Sequence, residues 1–171
     1  ETYRILHERC DYPLHVGVTE SGAYEDGLVK SSIGIGALLS DGIGDTVRVS
    51  LSGDPLQEPA AAHTILRALK LEDGVEIVSC PTCSRCHYDL MGTVDAVRRM
   101  TAGITKPLTV AVMGCVVNGP GEAREADVGV AGGKDKAVIF KKGVPVKTVK
   151  PEEIEPELKK MLEELTGETI G

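Results

Sequence analysis

Between residues 13 and 70, short β-branched runs alternate with helical patterns, and this alternation leaves few architectures open. Pro13-Leu14-His15-Val16-Gly17-Val18-Thr19-Glu20 reads as a buried strand ending in a carboxylate. Asp26 to Ser40 has helical spacing. Val29, Ile33 and Ala37 fall on one face, and Ser31, Gly34 and Gly36 are small enough for close packing. Gly42 and Gly44 stop this helix. Asp45 to Ser52 is a second β-branched strand, and Asp54-Pro55 caps a helix over roughly 57–70 with Ala62, Ile65, Leu66 and Leu69 as its buried stripe. Residues 2–10 look like the end of one more helix. Strand, helix, strand, helix in this order is the signature of a parallel sheet. Two strands and two helices cannot close a barrel or cover both faces of a sheet. Residues 1–73 are therefore expected to be the last part of a larger unit. In a (β/α)₈ barrel, chemistry gathers at the C-terminal ends of the strands, which is where Glu20 and Arg48 to Ser52 stand. The chain opens in a helical pattern without Met, so a fragment is expected.

From residue 74 the texture changes to that of a small α+β domain, 74–171, joined through Glu72-Asp73-Gly74. Val75 to Val78 and Leu108 to Met113 are strands, each running into a cysteine motif. Between them, Asp89 to Met100 is a helix with Met91, Val94 and Val97 inward. Strands follow over 127–130, 137–140 and 144–149, with turns at Gly132-Gly133 and Lys141-Lys142-Gly143. Pro151 opens a last helix with Ile154, Leu158, Met161, Leu162 and Leu165 on one face, and Gly167 lies past its end.

Charge and composition exclude several functions. A net charge of −7 argues against a binder of nucleic-acid backbones. One Phe, four Tyr and no Trp leave no stacking platform for single strands. No apolar run approaches the roughly 18 residues of a membrane span, and no secretory signal is recognisable. The acidity is uneven: residues 1–73 carry 6 basic and 12 acidic side chains, residues 74–171 carry 13 and 14. The second part is close to neutral, which suits docking or an anionic ligand. Lys134, Lys136, Lys141 and Lys142 read first as a solvated hairpin and second as a docking surface for an acidic partner.

Five cysteines, an odd number, point to a reducing, cytosolic compartment and not to a disulfide framework. Three of them lie in Cys80-Pro81-Thr82-Cys83-Ser84-Arg85-Cys86. A fourth lies in Gly114-Cys115-Val116-Val117-Asn118-Gly119-Pro120-Gly121-Glu122, where Asn-Gly-Pro-Gly predicts a sharply turning loop that continues neither helix nor strand. Thiolates three residues apart past a strand can turn toward one metal. Zinc asks for four ligands, commonly two such pairs, and no second pair exists. A thioredoxin-like pair needs a helix start directly after the motif, against which Pro81 and Arg85 argue. Cys10 has no companion and is read as a bystander. A cluster of four irons with three thiolates fits best. Its fourth ligand is either Cys86, completing a ferredoxin-like run, or Glu122, a hard and exchangeable carboxylate. Spacing leaves both open.

Cys80 to Arg85 and Gly114 to Ala123 resemble the 4-hydroxy-3-methylbut-2-enyl diphosphate synthase family of the methylerythritol phosphate pathway. The resemblance extends to Pro13–Glu20, Val29–Gly36 and Asp41–Leu51 and covers essentially the whole chain. It implies the end of a (β/α)₈ barrel followed by an iron–sulfur domain akin to sulfite and nitrite reductase modules. It implies a [4Fe–4S] cluster on Cys80, Cys83, Cys115 and Glu122, with Cys86 departing from the family pattern. The implied reaction is two-electron reductive ring opening of 2-C-methyl-D-erythritol 2,4-cyclodiphosphate with loss of water. The implied donors are ferredoxin or flavodoxin. Glu20 resembles the family's acid/base carboxylate. Arg48 and Ser50 resemble its diphosphate contacts, and Asn118 is a candidate substrate contact. A homodimer in a bacterial cytosol or a plastid is implied as well. Two other classes remain: a four-thiolate electron-transfer module on Cys80, Cys83, Cys86 and Cys115, and a zinc-stabilised structural domain.

Overall fold

Within residues 1–170, which the computed structural model describes, the chain folds as two units, Glu1–Glu72 and a second beginning at Asp73. The first contains α1 (Thr2–Arg9), β1 (His15–Val18), α2 (Tyr24–Ser40), β2 (Thr46–Val49) and α3 (Gln57–Ala68). β1 and β2 pair in parallel, with Val16 beside Val47 and Gly17 beside Arg48. Alternation along the strands turns Val16, Val18, Val47 and Val49 to one face. There Val16 and Val49 join Ile35, Ala61 and Ile65 in a core. His15, Gly17, Thr46 and Arg48 belong to the other face, where His15 Nδ1 and Thr46 Oγ1 lie 2.7 Å apart.

α2 corrects the expected helix face. Val29 and Ile33 are 59% and 69% exposed, whereas Gly27, Ser31, Ile35 and Gly36 are buried. Small residues win this face because they let the helix lie close to the strands. A Cβ on Gly27 would stand 2.4 Å from Leu51 Cδ2, and one on Gly34 2.5 Å from Val18 Cγ2. Asp54 does not cap α3 directly. Its Oδ1 accepts from the Leu56 N–H in the preceding turn.

The second unit contains β3 (Val75–Ser79), α4 (Leu90–Thr101), β4 (Leu108–Met113), α5 (Gly119–Glu122), β5 (Val128–Ala131), β6 (Ala137–Lys141), β7 (Val144–Val149) and α6 (Ile154–Thr166). The five strands form one mixed sheet in sequence order. β3, β4 and β5 are parallel, and β6 and β7 return antiparallel. α4 and α6 bury Val94, Val97, Leu158 and Leu162 with Val110, Val112, Val128, Val130 and Ile139. A smaller cluster holds Phe140 among Ala111, Met113, Ala123, Ala126 and Ala131.

Asp89 starts α4 by accepting the Gly92 N–H at 2.9 Å. Leu90, Val94 and Val97 then share the inner face. Met91, expected there, lies about 100° round from Leu90 and is 58% exposed. Leu165 is likewise outside the fully buried stripe Ile154, Leu158, Leu162. Gly167 ends α6 with φ 73°, a left-handed cap that favours glycine. Among the described residues no helix is long and apolar enough to cross a membrane.

Candidate metal centre

Parallel pairing sets the site. Ser79, the last residue of β3, stands opposite Val112, so the residues that follow leave the sheet at the same end. Those residues are Cys80 on one strand and Gly114-Cys115 on the other. The Gly114 N–H donates to Cys80 Sγ at 3.0 Å. A Cβ on buried Gly114 would stand 3.2 Å from Cys80 Sγ, and 3.3 and 3.4 Å from Cys86 Cβ and Sγ. Cys80 and Cys86 therefore flank Gly114. The Cys86 N–H donates to the Cys83 carbonyl at 3.0 Å, closing a turn that leaves Cys83 exposed. Cys115 is half-buried, and all five cysteines are free thiols. Cys10, in the first unit, donates its thiol to the Leu6 carbonyl at 3.2 Å.

Tyr88 belongs to this site, and sequence reasoning missed it. Its hydroxyl donates to the Met113 carbonyl at 3.0 Å, and the Gly132 N–H donates to the same oxygen at 3.0 Å. The ring fills the space above Gly132, where a Cβ would stand 2.1 Å from ring carbons. Burial first, then negative charge at Cys86 and Cys80, pushes the Tyr88 hydroxyl well above its ordinary pKa of 10, so it stays a donor. The available signal was a tyrosine two residues past Cys86 in a chain poor in aromatics.

The Asn118-Gly119-Pro120-Gly121 stretch is a correction. It forms one helical turn, with Gly119 N–H on the Cys115 carbonyl at 3.0 Å and Glu122 N–H on the Asn118 carbonyl at 2.8 Å. Pro120 fits because the first helical turn has free N–H groups to lose. Gly119 is buried, and a Cβ there would lie 2.8 Å from Met113 Cβ. Asn118 is half-buried and Glu122 is exposed. Among the described residues no three Cys, His, Asp or Glu side chains are assembled as a metal-holding group. Cys80 and Cys86 both lie against Gly114, while Cys83 and Glu122 are exposed and Cys115 is half-buried.

The donor set nonetheless suits an iron–sulfur cluster in its chemistry. Free thiols follow adjacent strand ends, one sulfur already accepts a backbone N–H, and glycine sits where a side chain would crowd the sulfurs. Of the four lysines around the last turns, Lys141 and Lys142 lie 3.8 Å from Glu164 and Asp127, and Lys134 and Lys136 are exposed.

In the first unit, Glu20 is exposed just past β1 with φ 56°, an unfavourable left-handed backbone for a residue with a Cβ. Buried Ser21 beside it donates its hydroxyl to the Ser50 carbonyl, and the Ser52 N–H donates to the Gly22 carbonyl at 2.8 Å. Ser21 thus ties the end of β1 to the segment after β2, a role with no sequence signature. Arg48 is exposed on the sheet face opposite the helices, and Ser50 is half-buried.

Comparison with known proteins covers both units. A family model described as the GcpE protein C-terminal domain matches residues 76–164, and one described as the GcpE TIM-barrel domain matches residues 1–63. A relative named 4-hydroxy-3-methylbut-2-en-1-yl diphosphate synthase (flavodoxin), from Caldanaerobacter subterraneus subsp. tengcongensis, is 55% identical over 98% of this chain and 48% of its own length. Proteins of the same name from Geobacter sulfurreducens and Nitratidesulfovibrio vulgaris are 56% and 57% identical over 86% and 88% of this chain, and 42% and 39% of their own. The chain spans about half the length of the curated relatives it matches.

Proposed function

The chain belongs to the GcpE family, and from that membership we propose that it is part of an iron–sulfur oxidoreductase of isoprenoid biosynthesis. The reaction is conversion of 2-C-methyl-D-erythritol 2,4-cyclodiphosphate to (E)-4-hydroxy-3-methylbut-2-enyl diphosphate. A ring C–O bond breaks, one water leaves, and two electrons enter one at a time from ferredoxin or flavodoxin. Residues 1–73 are in this reading the last strands and helices of a (β/α)₈ barrel, and residues 74–171 a domain akin to sulfite and nitrite reductase modules. The assembly is a homodimer in a bacterial cytosol or a plastid.

Cys80, Cys83, Cys115 and Glu122 would hold a [4Fe–4S] cluster, Glu122 being the hard ligand that exchanges most readily. When bound, the cluster supplies single electrons and a Lewis-acid iron. The Glu20 carboxyl gives a proton to the departing hydroxyl oxygen as general acid. The Arg48 guanidinium and Ser50 hydroxyl hold diphosphate oxygens, the fork geometry of Arg suiting two of them at once. The Asn118 amide orients the substrate from the turn before Glu122.

The observation that carries this reading is the Gly114 N–H on Cys80 Sγ at 3.0 Å. It joins the two cysteine stretches at one end of one sheet, which supports their acting as one site. A second reading, a four-thiolate electron relay, is favoured by one fact: Cys86 lies against Gly114 beside Cys80. The reading is tested by anaerobic reconstitution of the 171-residue chain with iron and sulfide, followed by absorbance and iron determination. A brown protein with about four irons per chain is expected for a cluster of this type. A colourless protein that takes up one zinc overturns it.

A further inference from the structure

The Met113–Gly114 peptide group is held at both of its poles. Its carbonyl accepts from the Tyr88 hydroxyl and the Gly132 N–H, each at 3.0 Å, and its N–H donates to Cys80 Sγ at 3.0 Å. A planar trans peptide points its C=O and N–H in opposite directions. Whatever fixes the carbonyl therefore aims the N–H. The oxygen thus has one donor from the residue after β5 and one from the cysteine loop. Tyr88 approaches from the cysteine loop itself, two residues beyond Cys86. Gly132 has no positive φ to explain it. The ring of Tyr88 does, since any Cβ there would overlap it.

We propose that Tyr88 is a positioning residue for the cysteine site, acting through the Met113–Gly114 peptide to hold the N–H···Sγ bond on Cys80 and to set where Cys115 starts. The role rests on the cluster reading for its purpose but not for its geometry. A carbonyl that accepts two hydrogen bonds polarises its peptide and makes the N–H a better donor. Hydrogen bonds to cluster sulfurs are among the factors that set reduction potential. Tyr88 is thereby assigned to tuning Cys80 as a ligand, not to touching substrate.

The variant Tyr88→Phe keeps the ring in its slot and removes only the hydroxyl. Amide hydrogen exchange is read by NMR on the metal-free chain, and the reduction potential is read on the reconstituted chain. Gly114 N–H exchange is expected to accelerate about five-fold in Tyr88→Phe, the loss of one ordinary hydrogen bond, while amides of α6 stay unchanged. The potential is expected to move to more negative values. Gly132→Ala, which expels the ring by a separate route, is expected to accelerate Gly114 exchange further. Unchanged Gly114 exchange in both variants overturns the assignment, whether or not a cluster is taken up. If the parent chain takes up no iron and sulfide, the cluster reading falls and the Gly114 exchange rate alone decides the role of Tyr88.

Discussion

Both units end parallel strands in polar residues, yet the two ends differ in how much is fixed around them. At the ends of β1 and β2, Glu20 and Ser50 follow the strands and Arg48 lies on the face of the two-stranded sheet away from the helices. The Ser21 hydroxyl on the Ser50 carbonyl and the Ser52 N–H on the Gly22 carbonyl tie the two segments together. Past β3 and β4, the sheet has five strands and apolar clusters that include residues from all of them. There the Met113–Gly114 peptide is bonded at both poles, and Gly114, Gly119 and Gly132 leave room for Cys80, Met113 and Tyr88 around it. The two strand ends thus differ in the hydrogen bonds that fix their backbone. The second unit brings its own core to its chemistry.

The largest effect should come from the core under the cysteine site. Phe140 is fully buried against Gly129, and Phe140→Ala is expected to cost about 3–5 kcal/mol of unfolding free energy by urea titration followed by circular dichroism. A cost below about 1 kcal/mol would break the comparison, because the second unit would then not depend on its core. Next, Gly132→Ala forces a Cβ into the Tyr88 ring and should cost about 1–3 kcal/mol in the same titration. In the first unit the sign reverses. Glu20→Gly relieves a left-handed backbone and should stabilise by up to about 1 kcal/mol while removing the carboxylate. Destabilisation instead would mean that Glu20 is held by contacts stronger than its backbone strain.

The smallest effect concerns pH. Glu72 accepts a hydrogen bond from His63 at 2.7 Å and lies 3.2 Å from Arg67. The His63 hydrogen bond holds its carboxyl below the ordinary value of 4.5. A lowered folded pKa means stabilisation that is present above 4.5 and lost as pH falls through the folded value. Thermal melts of the parent chain and Glu72→Gln should therefore differ at neutral pH and converge as the solution is acidified below 4.5. A difference that persists at acid pH would assign the effect to packing.

The order of elements was legible because β-branched runs, glycine stops and helical spacing agree with one another along the chain. The cysteine stretches were legible because their residue types are chemically distinctive. What was hidden depends on which side of an element meets the sheet. α2 has apolar residues on more than one face, and close approach favoured Gly27 and Ser31 over the larger Val29 and Ile33. Met91 was displaced from the inner face by its neighbour Leu90, which shares the side of Val94 and Val97. The turn at Gly119–Glu122 reads as a loop by composition and becomes helical through bonds to Cys115 and Asn118. Tyr88 and Ser21 act through a hydroxyl on a distant carbonyl, and no spacing rule encodes such a pairing.

The proposed assignment is one cluster held by the two cysteine stretches, with Glu122 as its exchangeable ligand. The most direct test is anaerobic reconstitution of the parent chain, Cys86→Ser and Glu122→Ala, followed by iron content and cluster stability. The account predicts that Cys86→Ser keeps a parent-like cluster and that Glu122→Ala gives a labile one. A cluster lost in Cys86→Ser but intact in Glu122→Ala would contradict it and assign the four thiolates Cys80, Cys83, Cys86 and Cys115.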